Sequence, residues 1–235
     1  MKAYIKDIAY YLPQDVLTNE QIAREFPEWS AEKVANKVGI IERHIAAADE
    51  TATDMAYQAA EQLFAQGVDR TSIDFVLLCT QSGDYFLPSS ACILQDRLGL
   101  SNNCGAFDFN LGCSGYEYGL AIAKGLIVAN IAKNILLLTS ETYTKYLHAH
   151  DKGNRTIFGD GASATLVSTD GFAEIGEVVV GTDGSGADNL IVRSLGARNK
   201  NPLNDAQLDE DGNVVSGDHL YMHGGNVFNF TADVV

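Results

Sequence analysis

Three observations predict an α/β fold with a largely parallel, buried sheet for this chain of 235 residues. Extended and helical segments alternate along most of its length, the rhythm that builds a parallel sheet covered by helices. Two short apolar runs, FVLLCT at 75–80 and NILLLTS at 134–140, are continuous rather than alternating, as in strands covered on both faces. A third, AFDFNLGCSGY at 106–116, passes from an apolar run into helical spacing through a Gly-Cys-Ser-Gly cluster.

The elements follow in order. Residues 3–12 read as an extended segment, and Thr51-Ala52-Thr53-Asp54 has the form of a helix N-cap. Met55, Ala59 and Leu63 then share one helix face, and Gly67 suits the stop. After the strand at 75–80, residues 89–98 read as a helix with Pro88 at its entry and Gly99 past its end. A strand at 107–111 leads into a helix at 114–129, and further strands are expected at 134–140 and 162–168. A new section opens near Gly171, with a strand-like stretch at 174–181 and another at 189–195. Residues 199–218 are polar and acidic and read as a loop, and 221–235 as a helix.

Composition narrows the function. Apolar residues make up 46% and charged residues 20%, which suits a globular chain with a sizeable core. The formal net charge of -15 disfavours nucleic acid and anionic membranes as partners. No run of 18 apolar residues occurs, and the amino terminus has no uninterrupted apolar stretch of signal-peptide type, so a cytoplasmic location and no membrane partner are expected. The four cysteines, Cys79, Cys92, Cys104 and Cys113, include no CxxC pair and no Cys/His cluster, so free thiols and no metal are expected.

Of these cysteines, Cys113 stands where chemistry is expected. Ligands in open α/β sheets bind beyond the carboxyl ends of strands. A helix starting at about Ser114 directs unpaired N–H groups and its positive dipole end at the thiol, which favours the nucleophilic thiolate. Gly112 and Gly115 permit a sharp turn and close approach of a substrate. Cys79 and Cys92 read as small buried hydrophobes, and Cys104 as an incidental turn residue.

The segment AFDFNLGCSGYEYGL resembles the nucleophile segment of the ketoacyl synthase III family of the thiolase superfamily. Four others agree with that family in order: GIIERHIA at 39–46, LPSSACILQDRLG at 87–99, IFGDGASATLV at 157–167 and YMHGGNVFNF at 221–230. The resemblance implies a thiolase-like layered α-β-α fold, with residues 1–171 as the N-terminal half carrying the nucleophile and 172–235 as the start of a truncated second half. It implies a decarboxylating Claisen condensation in fatty acid biosynthesis. An acyl group passes from acyl-CoA to Cys113, and malonyl-acyl carrier protein supplies the attacking carbanion. It further implies a homodimer, no cofactor, and substrate contacts at Leu87, Lys152, Phe158 and Gly159. Asp160, in the Phe-Gly-Asp-Gly loop, is expected to order backbone rather than move protons.

The family's condensing histidine and asparagine have no matching positions among the five histidines here, so they are expected beyond residue 235 and the chain alone is expected to lack condensing activity. Lys152 replaces an arginine that often contacts CoA, and lysine lacks the planar fork for bidentate contact. The acidic total requires a local basic patch for docking an acidic carrier protein. Two other readings stand beside the main one: a secondary-metabolism condensing enzyme of the same superfamily, and a noncatalytic acyl-binding protein on the same scaffold. A hydroxymethylglutaryl-CoA synthase would need a glutamate base where Gln81 stands, and an amide cannot take that proton.

Overall fold

The computed structural model describes residues 1–209 and 212–234. Among them, helices run at Asn19–Glu25 (α1), Ala31–Val38 (α2), Ala52–Ala65 (α3), Ser90–Arg97 (α4), Gly115–Val128 (α5) and Gly224–Val234 (α6). Strands run at Tyr4–Tyr11 (β1), Asp15–Thr18 (β2), Glu42–Ile45 (β3), Phe75–Cys79 (β4), Gly105–Phe109 (β5), Asn134–Glu141 (β6), Gly161–Ser168 (β7) and Ala173–Glu174 (β8). Two-residue strands follow at Leu190–Ile191 (β9), Gln207–Leu208 (β10), Val214–Val215 (β11) and Tyr221–Met222 (β12). The chain divides into two compact units, one formed by residues 1–16, 44–142 and 160–180, the other by 17–43, 143–159 and 181 onward.

The first unit is built on a sheet of order β5-β4-β6-β7-β1-β8. β4 runs parallel to β5 and β6, while the pairings β6–β7, β7–β1 and β1–β8 are antiparallel. The sheet is therefore mixed, not largely parallel. Parallel neighbours need a crossover element such as a helix. α4 and α5 supply one on each side of β5, but only short 3-10 turns lie between β6 and β7.

Side-chain alternation on these strands feeds two cores. Val76, Leu78, Leu136, Leu138, Ala164 and Leu166 face one way, against Met55, Ala59 and Leu63 of α3 and Ala91 and Leu94 of α4. Leu77, Ile135, Leu137 and Val167 face the other way, against Ala123 and Ile127 of α5. This gives the layered α-β-α arrangement, with the continuous apolar runs explained by burial on both faces.

Polar groups fix where the helices begin. Thr51 caps α3 in a capping box, its hydroxyl accepting from the Asp54 N–H while the Asp54 carboxylate accepts from the Thr51 N–H. At α4 the N-cap Ser89 makes no side-chain cap bond. The Asp108 carboxylate reaches over from β5 instead, accepting from the N–H groups of Ser90 and Ala91 at 2.6 Å each. A carboxylate at a helix N-terminus satisfies two orphan donors and faces the positive dipole end.

In the second unit, Thr18 and Ser30 cap α1 and α2, and Gly39 ends α2 in the left-handed conformation at φ +77°. Neither helix was anticipated from sequence, although both N-caps and the C-terminal glycine are visible there. The stretch 174–181 contributes strand only in β8, so the strand expected there is largely absent; Glu177, two glycines and three exposed valines leave Ile175 as its one buried position. The acidic stretch 199–218 carries the β10–β11 pair, with residues 210 and 211 outside the described residues. The last helix begins at Gly224 after β12, and Val235 lies outside the described residues.

Replacing Asp108 removes both acceptors from the α4 N-terminus at once. Asp108→Ala is expected to lower the free energy of unfolding by about 1–2 kcal/mol, read as a lower urea midpoint at unchanged slope.

Candidate active site

β5 ends at Phe109, and residues 110–114 turn the chain into α5. Gly115 opens that helix in a place where only glycine fits. A Cβ there would lie 2.2 Å from the Cys79 Sγ, so the first turn of α5 rests directly on the end of β4. The Gly115 N–H closes the turn onto the Gly112 carbonyl at 2.8 Å. The Cys79 thiol donates to the Leu111 carbonyl at 3.1 Å. Burial pushes that thiol up to about 11 against a backbone hydrogen bond of Leu111, and the charge of Glu141 adds to the rise, so Cys79 remains an S–H donor at neutral pH. Cys113 is exposed, immediately before the N-cap Ser114, which makes no side-chain cap bond.

A second layer braces this loop. The Gln81 side-chain amide donates to Asn110 Oδ1 at 2.9 Å, and its Oε1 lies 3.1 Å from where a Gly112 Cβ would be. The Gln81 N–H donates to Glu141 Oε1 at 2.7 Å, and the Ser82 hydroxyl donates to Glu141 Oε2 at 2.6 Å. Ser82 Oγ in turn accepts from the Thr142 N–H at 3.2 Å. Burial pushes the Glu141 carboxyl up to about 7 against the Ser82 and Gln81 hydrogen bonds, and the charge of Asp160 adds to that rise.

The sequence-predicted residues are distributed as follows. Cys113 and Leu87 belong to the first unit, and Lys152, Phe158 and Gly159 to the second. Leu87 is 82% exposed beside Phe86 at 89%. Lys152 pairs with Glu28 at 3.2 Å, and the Phe158 ring packs on Tyr143 with centroids 5.1 Å apart. Asp160 is buried; its N–H donates to the His44 carbonyl and its carboxylate accepts from the Ala46 N–H, both at 2.8 Å, an ordering of backbone. All four cysteines are free thiols, and Cys92 is exposed rather than buried, because it faces outward from α4 while Ala91 and Leu94 take the core face. Asn110 and Glu141 were not anticipated. The signal for Glu141 was a carboxylate closing the apolar run ILLLTS, which puts it at the carboxyl end of a strand beside the Cys113 strand end.

A sequence model described as 3-oxoacyl-[acyl-carrier-protein (ACP)] synthase III matches residues 107–184, a stretch that includes Cys113. A beta-ketoacyl-[acyl-carrier-protein] synthase III of Clostridium perfringens is 38% identical over 227 residues, 96% of this chain and 67% of that protein. The chain belongs to the 3-oxoacyl-[acyl-carrier-protein] synthase III family. A crystal structure of a 3-oxoacyl-(acyl-carrier-protein) synthase III superposes with a TM-score of 0.95 at 51% identity, covering 100% of this chain and 71% of that one. The priming beta-ketosynthase of the R1128 polyketide biosynthetic pathway superposes with a TM-score of 0.84 at 26% identity, over 99% of this chain and 66% of that one. As a 3-oxoacyl-[acyl-carrier-protein] synthase III, the chain is that of an acyltransferase of thiolase-like fold.

Two predictions follow from the geometry. Gly115→Ala forces its new methyl into the Cys79 sulfur and is expected to destabilise the chain by about 1–3 kcal/mol; adding Cys79→Ala should return part of that loss, and a double variant no more stable than Gly115→Ala would place the strain elsewhere. Glu141 holds its proton up to about pH 7 when folded but releases it from an ordinary value of 4.5 when unfolded. Between those limits the folded state binds the extra proton, so Glu141 lowers stability as pH rises through the window. Urea denaturation from about pH 5 to about pH 7 should show wild type losing stability relative to Glu141→Gln, and a constant difference would mean that Glu141 does not titrate there.

Proposed function

We propose that Cys113 is the acyl-accepting nucleophile of this 3-oxoacyl-[acyl-carrier-protein] synthase III. The observation that carries the reading is an exposed thiol at the strand-to-helix junction, set on a loop braced from beneath by Cys79 and from the side by Gln81. In the first half-reaction the Cys113 thiolate attacks the thioester carbonyl of acyl-CoA. The tetrahedral oxyanion collapses, the CoA thiolate leaves and takes a proton, and acyl-Cys113 remains. The Cys113 N–H, at the approach to the α5 N-terminus, is a candidate donor to that oxyanion.

In the second half-reaction malonyl-acyl carrier protein loses carbon dioxide, and the electron pair of the broken C–C bond forms the carbanion. It attacks the acyl carbonyl, the Cys113 thiolate leaves, and a 3-oxoacyl-carrier-protein product forms. The donors that stabilise the enolate are assigned to the second thiolase-like half, opened by residues 172–235, and not to any of the five histidines here. On this reading Lys152, which pairs with Glu28, is exchanged onto a phosphate of the CoA donor, and Phe158 and Gly159 contact the substrate. Leu87 is placed at the acyl pocket of the partner subunit in a homodimer; its high exposure, together with that of Phe86, supports an apolar contact still to be made. Among the described residues no helix is long and apolar enough to cross a membrane. A cytoplasmic location is part of this proposal.

The test is intact-protein mass spectrometry of the full-length enzyme after incubation with a series of acyl-CoA chain lengths. One acyl group is expected on the peptide containing Cys113, absent in Cys113→Ala, with Leu87→Trp narrowing the accepted lengths. Acylation that persists in Cys113→Ala would remove Cys113 from the role, and an unchanged length series in Leu87→Trp would remove Leu87 from the pocket.

A further inference from the structure

We propose that Gln81 is the positioning residue of the Cys113 loop, acting through its side-chain amide on Asn110 and held in place by a carboxylate clamp at Glu141. The inference rests on Cys113 being the nucleophile and adds to it a residue that does not touch the reacting atoms.

Strand register creates the arrangement. β4, β5 and β6 run parallel, and Cys79 is in register with both Phe109 and Thr139. Asn110 therefore stands one residue beyond the shared edge, and Gln81 and Glu141 two residues beyond it. All three stand at the carboxyl end of the parallel strands, Asn110 and Gln81 past the ends of β5 and β4 and Glu141 as the last residue of β6, where it still pairs with Gly161 of β7. Glu141 Oε1 accepts from the Gln81 N–H and Oε2 from the Ser82 hydroxyl, so its two oxygens hold two consecutive residues of the loop after β4. A third bond, from the Thr142 N–H to Ser82 Oγ, ties that loop to the end of β6 again. The Gln81 main chain is thus fixed by a partly buried side-chain acceptor that holds Ser82 as well.

The fixed main chain gives the side chain a defined reach. Gln81 Nε2 donates to Asn110 Oδ1, and the amide oxygen lies 3.1 Å from where a Gly112 Cβ would be, so a larger residue there requires the amide to shift. Both contacts fall within the three residues preceding Cys113. The Leu111 carbonyl is held by the Cys79 thiol. Asn110 and Leu111 are therefore each restrained, by Gln81 and by Cys79 at the end of β4, and Gly112 lies close to the Gln81 amide. A loop held in this way presents the Cys113 sulfur in a narrow range of positions, and a misplacement of about 1 Å is enough to cost on the order of 100-fold in rate.

The assignment is tested in the full-length enzyme with Gln81→Met, which keeps the length of the side chain and removes both amide atoms. Two readouts are taken: hydrogen–deuterium exchange of the peptide covering residues 110–114, and the rate of Cys113 acylation against acyl-CoA concentration. Exchange is expected to rise about tenfold in that peptide alone, and the maximal acylation rate to fall at least about tenfold with the half-saturating acyl-CoA concentration unchanged. Asn110→Ala, at an exposed position, should reproduce both effects, and the double variant should be no worse than either single one. It also serves if Gln81→Met fails to fold. Exchange or acylation within twofold of wild type, or single effects that add in full, would overturn the assignment. If wild type is not acylated at Cys113, the nucleophile reading fails separately, and the exchange of residues 110–114 alone then decides whether Gln81 orders the loop.

Discussion

The first unit depends on one close approach: α5 begins against the sulfur that ends β4, at a distance that admits no side chain on residue 115. Because the helix cannot start further from the sheet without losing that contact, the five residues between β5 and α5 must turn sharply. The turn leaves the Leu111 carbonyl pointing inward, where the Cys79 thiol meets it, and leaves Cys113 outside. A tight strand-to-helix turn exposes the residue at its apex and aims helix N–H groups past it. The position of the Cys113 thiol is in this sense a packing consequence, set by a glycine two residues further on.

The same sheet decides where polar side chains gather. Its interior positions are apolar on both faces, so a charged group along β4 or β6 would be buried without a partner. The first positions free of that constraint lie at the strand ends and just past them. Parallel direction puts the carboxyl ends of β4, β5 and β6 side by side, which an antiparallel neighbour such as β7 cannot do. Gln81 and Ser82, Asn110 and Glu141 come from three stretches of sequence, yet meet because β4 and β5 stop in register and the parallel β6 runs on two residues beside them. Glu141 is still deep enough for burial to hold its proton to about 7, a reminder that the edge of a sheet is only partly wet.

Much of this was legible in the sequence, and for a physical reason. Strands buried on both faces must be continuously apolar, so 75–80 and 134–140 announced themselves, and the N-cap at Thr51 and the thiol at Cys113 follow from local chemistry. The mixed direction of the sheet was not legible, since the order and sense of β7 and β1 depend on pairings between residues more than 150 positions apart, such as Tyr4 with Ser168. The stretch 174–181 was read as a strand because valines favour extended backbone, but propensity yields to burial, and Val179 is 96% exposed. The β10–β11 pair was missed because its strands are two residues long and carry no period. Cys92 was assigned to the interior from residue type alone, whereas its place on α4 turns it outward.

Glu141 and Cys79 show why the bracing of the loop before Cys113 was the hardest part to read. Neither carries a motif, and each is ordinary in its own segment. Their effect exists only across strands: a carboxylate from β6 grips the main chain after β4, and a thiol from β4 grips the main chain after β5. Cys79 can do so because burial keeps it protonated, the opposite of what the role proposed for Cys113 requires. Two cysteines a few residues past or at the ends of adjacent strands thus differ by environment. The buried one supplies a fixed S–H donor to the loop, and the exposed one is left open to solvent.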